Sequence, residues 1–72
     1  MPRYHFDLVD SKTVADEGGA ELPDGIMALD VAEEIAKRLL AERPELKNRQ
    51  FSILVTNHEG EEIGKVPLDV LH

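Results

Sequence analysis

Between Ile26 and Arg43 the apolar residues recur with the period of an α-helix, and Pro44 ends the pattern. At about 100° per residue, Ala28, Val31, Ala32, Ile35, Ala36 and Leu39 fall on one stripe, with Asp30, Glu33, Glu34, Lys37 and Arg38 opposite. A helix with one apolar stripe needs a second layer to bury it, and the flanking segments read as sheet. Glu33 with Lys37 and Glu34 with Arg38 are spaced to pair along the exposed side, each worth roughly 0.2 to 0.5 kcal/mol. Asp24 stands where a side chain caps the first turn, and Pro44, lacking an amide hydrogen, stops the last one. Leu29 and Leu40 lie at the margin of the stripe. They are expected to close the border of the core against a hairpin, the alternative being a second contact surface.

Period two replaces the helical period on both sides. From Arg3 to Val9, Tyr4, Phe6 and Leu8 alternate with His5 and Asp7, the pattern of a half-buried strand. Asp10, Ser11 and Lys12 form a turn, and Thr13 to Ala15 predict a short returning strand. Phe51, Ile53 and Val55 alternate with Ser52, Leu54 and Thr56, and NHEG is the turn of a second hairpin. Its return strand is Glu62 to Val66, with Gly64 placed for a bulge and Pro67 for an ending, and LDVLH can add a final helical turn.

The order is ββαββ in a single domain spanning residues 1–72. A right-handed crossover with the first strand between the second and third predicts an α+β fold, a four-stranded antiparallel-rich sheet in the order 2-1-3-4 with the helix on one face. The opposite face is expected to carry His5, Asp7, Val9, Ser52, Leu54 and Thr56 uncovered. His5, Asp7, Val9, Leu54 and Thr56 are the candidate interaction surface.

Composition narrows the function classes. With 15 acidic and 8 basic residues the formal net charge is -7, which removes the attraction to phosphate that nucleic-acid binders depend on. The absence of cysteine excludes a disulfide framework, thiolate metal ligands and a thiol nucleophile. No segment has the length or continuity of apolar residues for a signal peptide or membrane span, so the expected compartment is the cytoplasm.

The stretch DEGGAELPDG, Asp16 to Gly25, invites a site reading because glycine loops bind phosphate and clustered carboxylates bind hard cations. It has no basic residue to support a phosphate, and its spacing is not that of an EF-hand. It reads as punctuation: glycines for a turn, Pro23 for an extended approach and Asp24 for the cap. His5 and Asp7 share a strand face, but two ligands do not make a metal site, and His58 and His72 show no convergence with them. Ser11, Thr13, Ser52 and Thr56 carry no signature of an activated nucleophile. No catalytic residue, cofactor or metal is assigned. The expected role is a non-catalytic interaction or regulatory module, bound to an unidentified protein or to itself as a homodimer. The other readings are a small enzyme, or a ligand- or metal-binding domain using the open face.

MPRYHFDLVD at the start, DEGGAELPD before the helix, and FSILVTNHEG followed by VPLDVL at the end resemble a family of small uncharacterised bacterial proteins. Its members begin with MPRY and an aromatic strand, carry an ELPD-like segment before one helix, and finish with a VTDEXG-type hairpin and VPF. Leu68 here replaces the usual phenylalanine, and Asn57 and His58 stand where Asp and Glu are common. The resemblance implies a fold and a bacterial cytoplasmic setting and transfers no catalytic residue. A more distant likeness, LPDG with ALDVAEEIAKRLL, is to HicB-type antitoxin domains and implies an antitoxin-like, partner-binding alternative. The further strands and DNA-binding part common in those proteins have no counterpart here.

Overall fold

The computed structural model describes residues 1–68. The final turn suggested for LDVLH falls, apart from Leu68, outside the described residues. The elements follow the order β1 (Arg3–Val9), β2 (Val14–Glu21), α1 (Gly25–Glu42), a short 3-10 helix (Pro44–Leu46), β3 (Ser52–Asn57) and β4 (Glu62–Pro67). All neighbouring strands are antiparallel, and the sheet order is β2-β1-β3-β4.

Helix α1 is continuous, as its period predicts. Asp24 is its N-cap: the backbone is extended, and Oδ1 accepts a hydrogen bond from the Met27 amide at 2.9 Å, satisfying one orphan donor of the first turn. The Arg43 amide donates to the Leu39 carbonyl at 2.7 Å, after which Pro44 turns the chain into the 3-10 helix. Ala28, Ala32, Ile35, Ala36 and Leu39 are buried, and Val31 is half-buried at the edge of the stripe. On the exposed side Lys37 approaches Glu34 at 3.9 Å, three residues away. The expected partners were Glu33 for Lys37 and Arg38 for Glu34. Exposed side chains choose among near-equal partners with little energy at stake, so the switch has no consequence for the fold.

Tyr4, Phe6 and Leu8 of β1 and Ile53 and Val55 of β3 face the helix, with Leu46, Phe51 and Leu68 closing the core. Phe6, Ile53 and Val55 are almost wholly excluded from solvent. The helix lies over β3 and β4, so β2 is tied to the rest chiefly through its pairing with β1. Leu29 and Leu40 pack at the border of the core. A Cβ built on Gly64 would meet Leu29 Cδ2 at 3.0 Å, so Leu29 rests on the space a side chain there would fill.

Two expectations for the N-terminal hairpin are corrected. The second strand does not stop at Ala15; it runs through DEGGAE to Glu21, so this part of the supposed punctuation is sheet. A bulge makes that possible. Up to His5 the ladder pairs His5 with Gly19, but beyond it Asp7 pairs with Asp16, so Glu17 and Gly18 together oppose Phe6. Gly18 has φ +105, a conformation that side-chain-bearing residues rarely adopt. Gly19 provides close approach: a Cβ there would lie 2.8 Å from the Tyr4 carbonyl oxygen and 3.2 Å from an Arg3 guanidinium nitrogen.

The second correction concerns Val9. It was expected on the uncovered face, yet it is 8% exposed. Strand β1 is interior, and Val9 is flanked by Val14 on one side and Ser52 on the other, which shields a short branched side chain. In β4 the register shift lies between the Val55–Gly64 and Thr56–Glu62 pairs, making Ile63 the extra residue beside the glycine.

Candidate functional site

The sheet face opposite the helix is built by the alternate residues of each strand. His5, Asp7, Leu54 and Thr56 are half-buried there, as is Ser52. Leu54 lies between Asp7 on β1 and Lys65 on β4, and His5 pairs with Thr56. Four of the five candidate surface residues therefore share one accessible face, and Val9 is the exception.

The chemistry of this face concentrates at one point. His5 Nε2 lies 3.1 Å from Asp7 Oδ1 and 3.4 Å from Asp16 Oδ1. Potential ligand atoms of the three residues all fall within 4.8 Å of one another. His5 and Asp7 meet because side chains two apart on a strand share a face. Asp16 joins them through the bulge, which places it across from Asp7. Its Oδ1 accepts a hydrogen bond from the Gly18 amide at 2.7 Å, so the backbone that creates the bulge also orients the carboxylate. Asp7 is the most enclosed of the three, with its side chain 16% exposed against 44% for His5 and 72% for Asp16.

The arrangement has an electrostatic requirement. Asp7 and Asp16 face each other across the strands, and like charges in that position are destabilising. A hydrogen on Nε2 lets the ring donate to Asp7, as the neutral Nε2–H tautomer or as the imidazolium, and only the imidazolium adds a positive neighbour. With Nε2 unprotonated, its lone pair and two carboxylate oxygens converge with no donor among them.

Asp16 was missed as a partner of His5 and Asp7 because its segment reads as loop. The signal lay in Ala15 and Ala20, which pair with the buried Leu8 and Tyr4. They are an odd number of positions apart, so both can face the core only if an extra residue interrupts the alternation between them.

The remaining histidine of the described residues stands apart. His58 is in the β3–β4 turn, exposed, with Nε2 3.9 Å from Glu59 Oε2. The turn is organised by Asn57, whose Oδ1 accepts from the amides of Glu59 and Glu61, both at 2.9 Å. Leu40 lines a groove between α1 and the end of β4, together with Glu33, Lys37, Val66 and Pro67. Among the described residues, no helix is long and apolar enough to cross a membrane.

No curated protein and no solved structure matches this chain. The likeness to HicB-type antitoxin domains finds no support. A family model does match, over residues 3–69, and it covers every strand and the helix described above. The chain belongs to the family DUF6894, a domain of unknown function.

Proposed function

We propose that this protein is a single-domain, non-catalytic binding module that works by contacting another protein chain through the sheet face opposite its helix. The observation that carries this reading is the position of Leu54: an apolar, half-buried side chain on an interior strand, with Asp7 and Lys65 as its cross-strand neighbours. A face with an apolar side chain on an interior strand and charges of both signs beside it suits a protein partner. The net charge of -7 argues against nucleic acid as that partner. The cysteine-free composition fits the cytoplasm as the compartment.

A second reading, a ligand- or metal-binding domain, is favoured by one specific observation, the convergence of His5, Asp7 and Asp16 on the same face.

Affinity capture from the native host with the wild-type chain and with Leu54→Glu as baits tests the first reading. A specific protein retained by the wild type and lost with Leu54→Glu, both baits showing the same circular dichroism, is the expected result. Equal recovery by the two baits would reject this face as the contact surface.

A further inference from the structure

Two of the three donor separations on the open face match those around a single ion, and all three donors lie within 4.8 Å of one another. Zinc holds imidazole nitrogen and carboxylate oxygen at about 2.0–2.2 Å, which sets neighbouring donors about 3.0 Å apart at right angles and about 3.4 Å apart at the tetrahedral angle. His5 Nε2 is 3.1 Å from Asp7 Oδ1 and 3.4 Å from Asp16 Oδ1. Both separations match edges of such a coordination shell.

We propose that His5, Asp7 and Asp16 form a site for one divalent transition-metal cation of the zinc class, with the remaining coordination positions open to water. The inference goes beyond the protein-contact reading and does not rest on it. Imidazole is the donor that sets the class, because magnesium and calcium prefer all-oxygen shells whereas zinc, nickel and copper accept nitrogen. Two opposed carboxylates supply the negative charge, and a cation seated among them removes the repulsion between Asp7 and Asp16. The donors are also held in place. His5 and Asp7 belong to β1, which is hydrogen-bonded to a strand on each side, and the Gly18 amide fixes the Asp16 carboxylate. Solvent reaches the cluster through the exposed Asp16 side, giving an ion its way in.

Titration calorimetry of the full chain with Zn²⁺, and visible absorption with Co²⁺, test the site on the wild type, His5→Ala, Asp16→Asn and the helix-surface control Glu34→Gln. The expected result is saturable binding of one ion, unchanged in Glu34→Gln. His5→Ala and Asp16→Asn should each weaken it by at least about tenfold, the loss that even supporting residues of metal sites produce. Co²⁺ bound to the wild type should shift the amide resonances of β1 and β2 selectively, a readout that does not depend on any variant folding. Absence of saturable binding at millimolar Zn²⁺ overturns the proposal. So does equal affinity in wild type and folded His5→Ala, or Co²⁺ shifts centred on the acidic helix surface.

Discussion

Asp16 stands directly across from Asp7, in the place an unbroken ladder from the His5–Gly19 pair would give to Glu17. The one-residue slip is made at Gly18, whose φ of +105 carries the cost of the bulge at no side-chain expense. Gly18→Ala is expected to destabilise the chain by about 1–2 kcal/mol, the penalty of a left-handed conformation for an L-residue. Chemical denaturation reads the loss. Because a Cβ at Gly18 meets nothing within 4 Å, the penalty is conformational, and an equally large loss on Gly18→Ala and Gly18→Asn would contradict that origin, since asparagine tolerates positive φ better.

The first hairpin responds to acid through Asp10. Its carboxyl is held below its ordinary value of 3.8 mainly by the Lys12 amide, which outweighs the opposing effect of desolvation with further help from the Thr13 amide and hydroxyl and from Arg49. Asp10 Oδ1 accepts from Lys12 at 2.8 Å and from Thr13 at 2.6 Å. A carboxyl whose value is lowered by folding stabilises the fold above its unfolded value and loses that contribution as pH falls through the folded one. Asp10→Asn is therefore expected to be less stable than the wild type at neutral pH, with the gap closing below pH 3.8. Urea midpoints measured across pH 2 to 7, an interval chosen about the usual carboxylate range, check the convergence.

Leu29 and Gly64 should be energetically coupled. With Leu29 Cδ2 3.0 Å from where a Gly64 Cβ would lie, Gly64→Val overfills the contact and is expected to cost about 1–3 kcal/mol. In a Leu29→Ala background the same substitution should cost clearly less. A double-mutant cycle with no coupling would show that the two positions do not share this space.

Helix α1 depends on its cap. Asp24→Ala removes the acceptor for the Met27 amide and is expected to lower stability by about 1 kcal/mol. Thermal melts followed at the helix band measure it. Asp24→Ser should restore most of the loss if the hydrogen bond is responsible.

Self-association, if the partner is a second copy, must use the face rather than the edges. Along the edge strand β2, Asp16, Glu17 and Glu21 and the bulge at Gly18 discourage pairing with another sheet, and Glu62, Lys65 and Pro67 do the same on β4. Sedimentation equilibrium of wild type and Leu54→Glu at two salt concentrations is expected to show a two-fold dimer for the wild type, tighter at higher salt, and a monomer for the variant. A monomeric wild type at high micromolar concentration reserves the face for a different protein.

The elements written in one uninterrupted period were legible from residue order. Tyr4, Phe6 and Leu8, Ile53 and Val55, and the Ala28 to Leu39 stripe bury the residues their spacing indicates, Val31 only in part, and the sheet order follows from these elements with a right-handed crossover. Strand β2 was not legible beyond its first residues for two reasons. Asp, Glu and Gly are poor strand formers on composition alone, and the bulge breaks the alternation that would have outweighed composition. The candidate site inherited that blind spot: His5 and Asp7 could be placed together from β1, whereas Asp16 enters only through a cross-strand register set by the backbone of Gly18. Val9 failed differently, because alternation assigns a face but says nothing of shielding by neighbours on both sides.

The off-centre seat of the helix, over β3 and β4, gives the molecule an uneven resistance to opening. Strand β2, which adds only Ala15 and Ala20 to the border of the core, is expected to part from β1 before the helix and its side of the core come apart, so its amides should exchange with solvent through a local event of lower free energy than global unfolding. One donor of the carboxylate–imidazole cluster rides on that detachable strand, and the other two stay behind on β1. Whatever the cluster holds when closed would thus act as a clasp, slowing the departure of β2 in proportion to how tightly it is held.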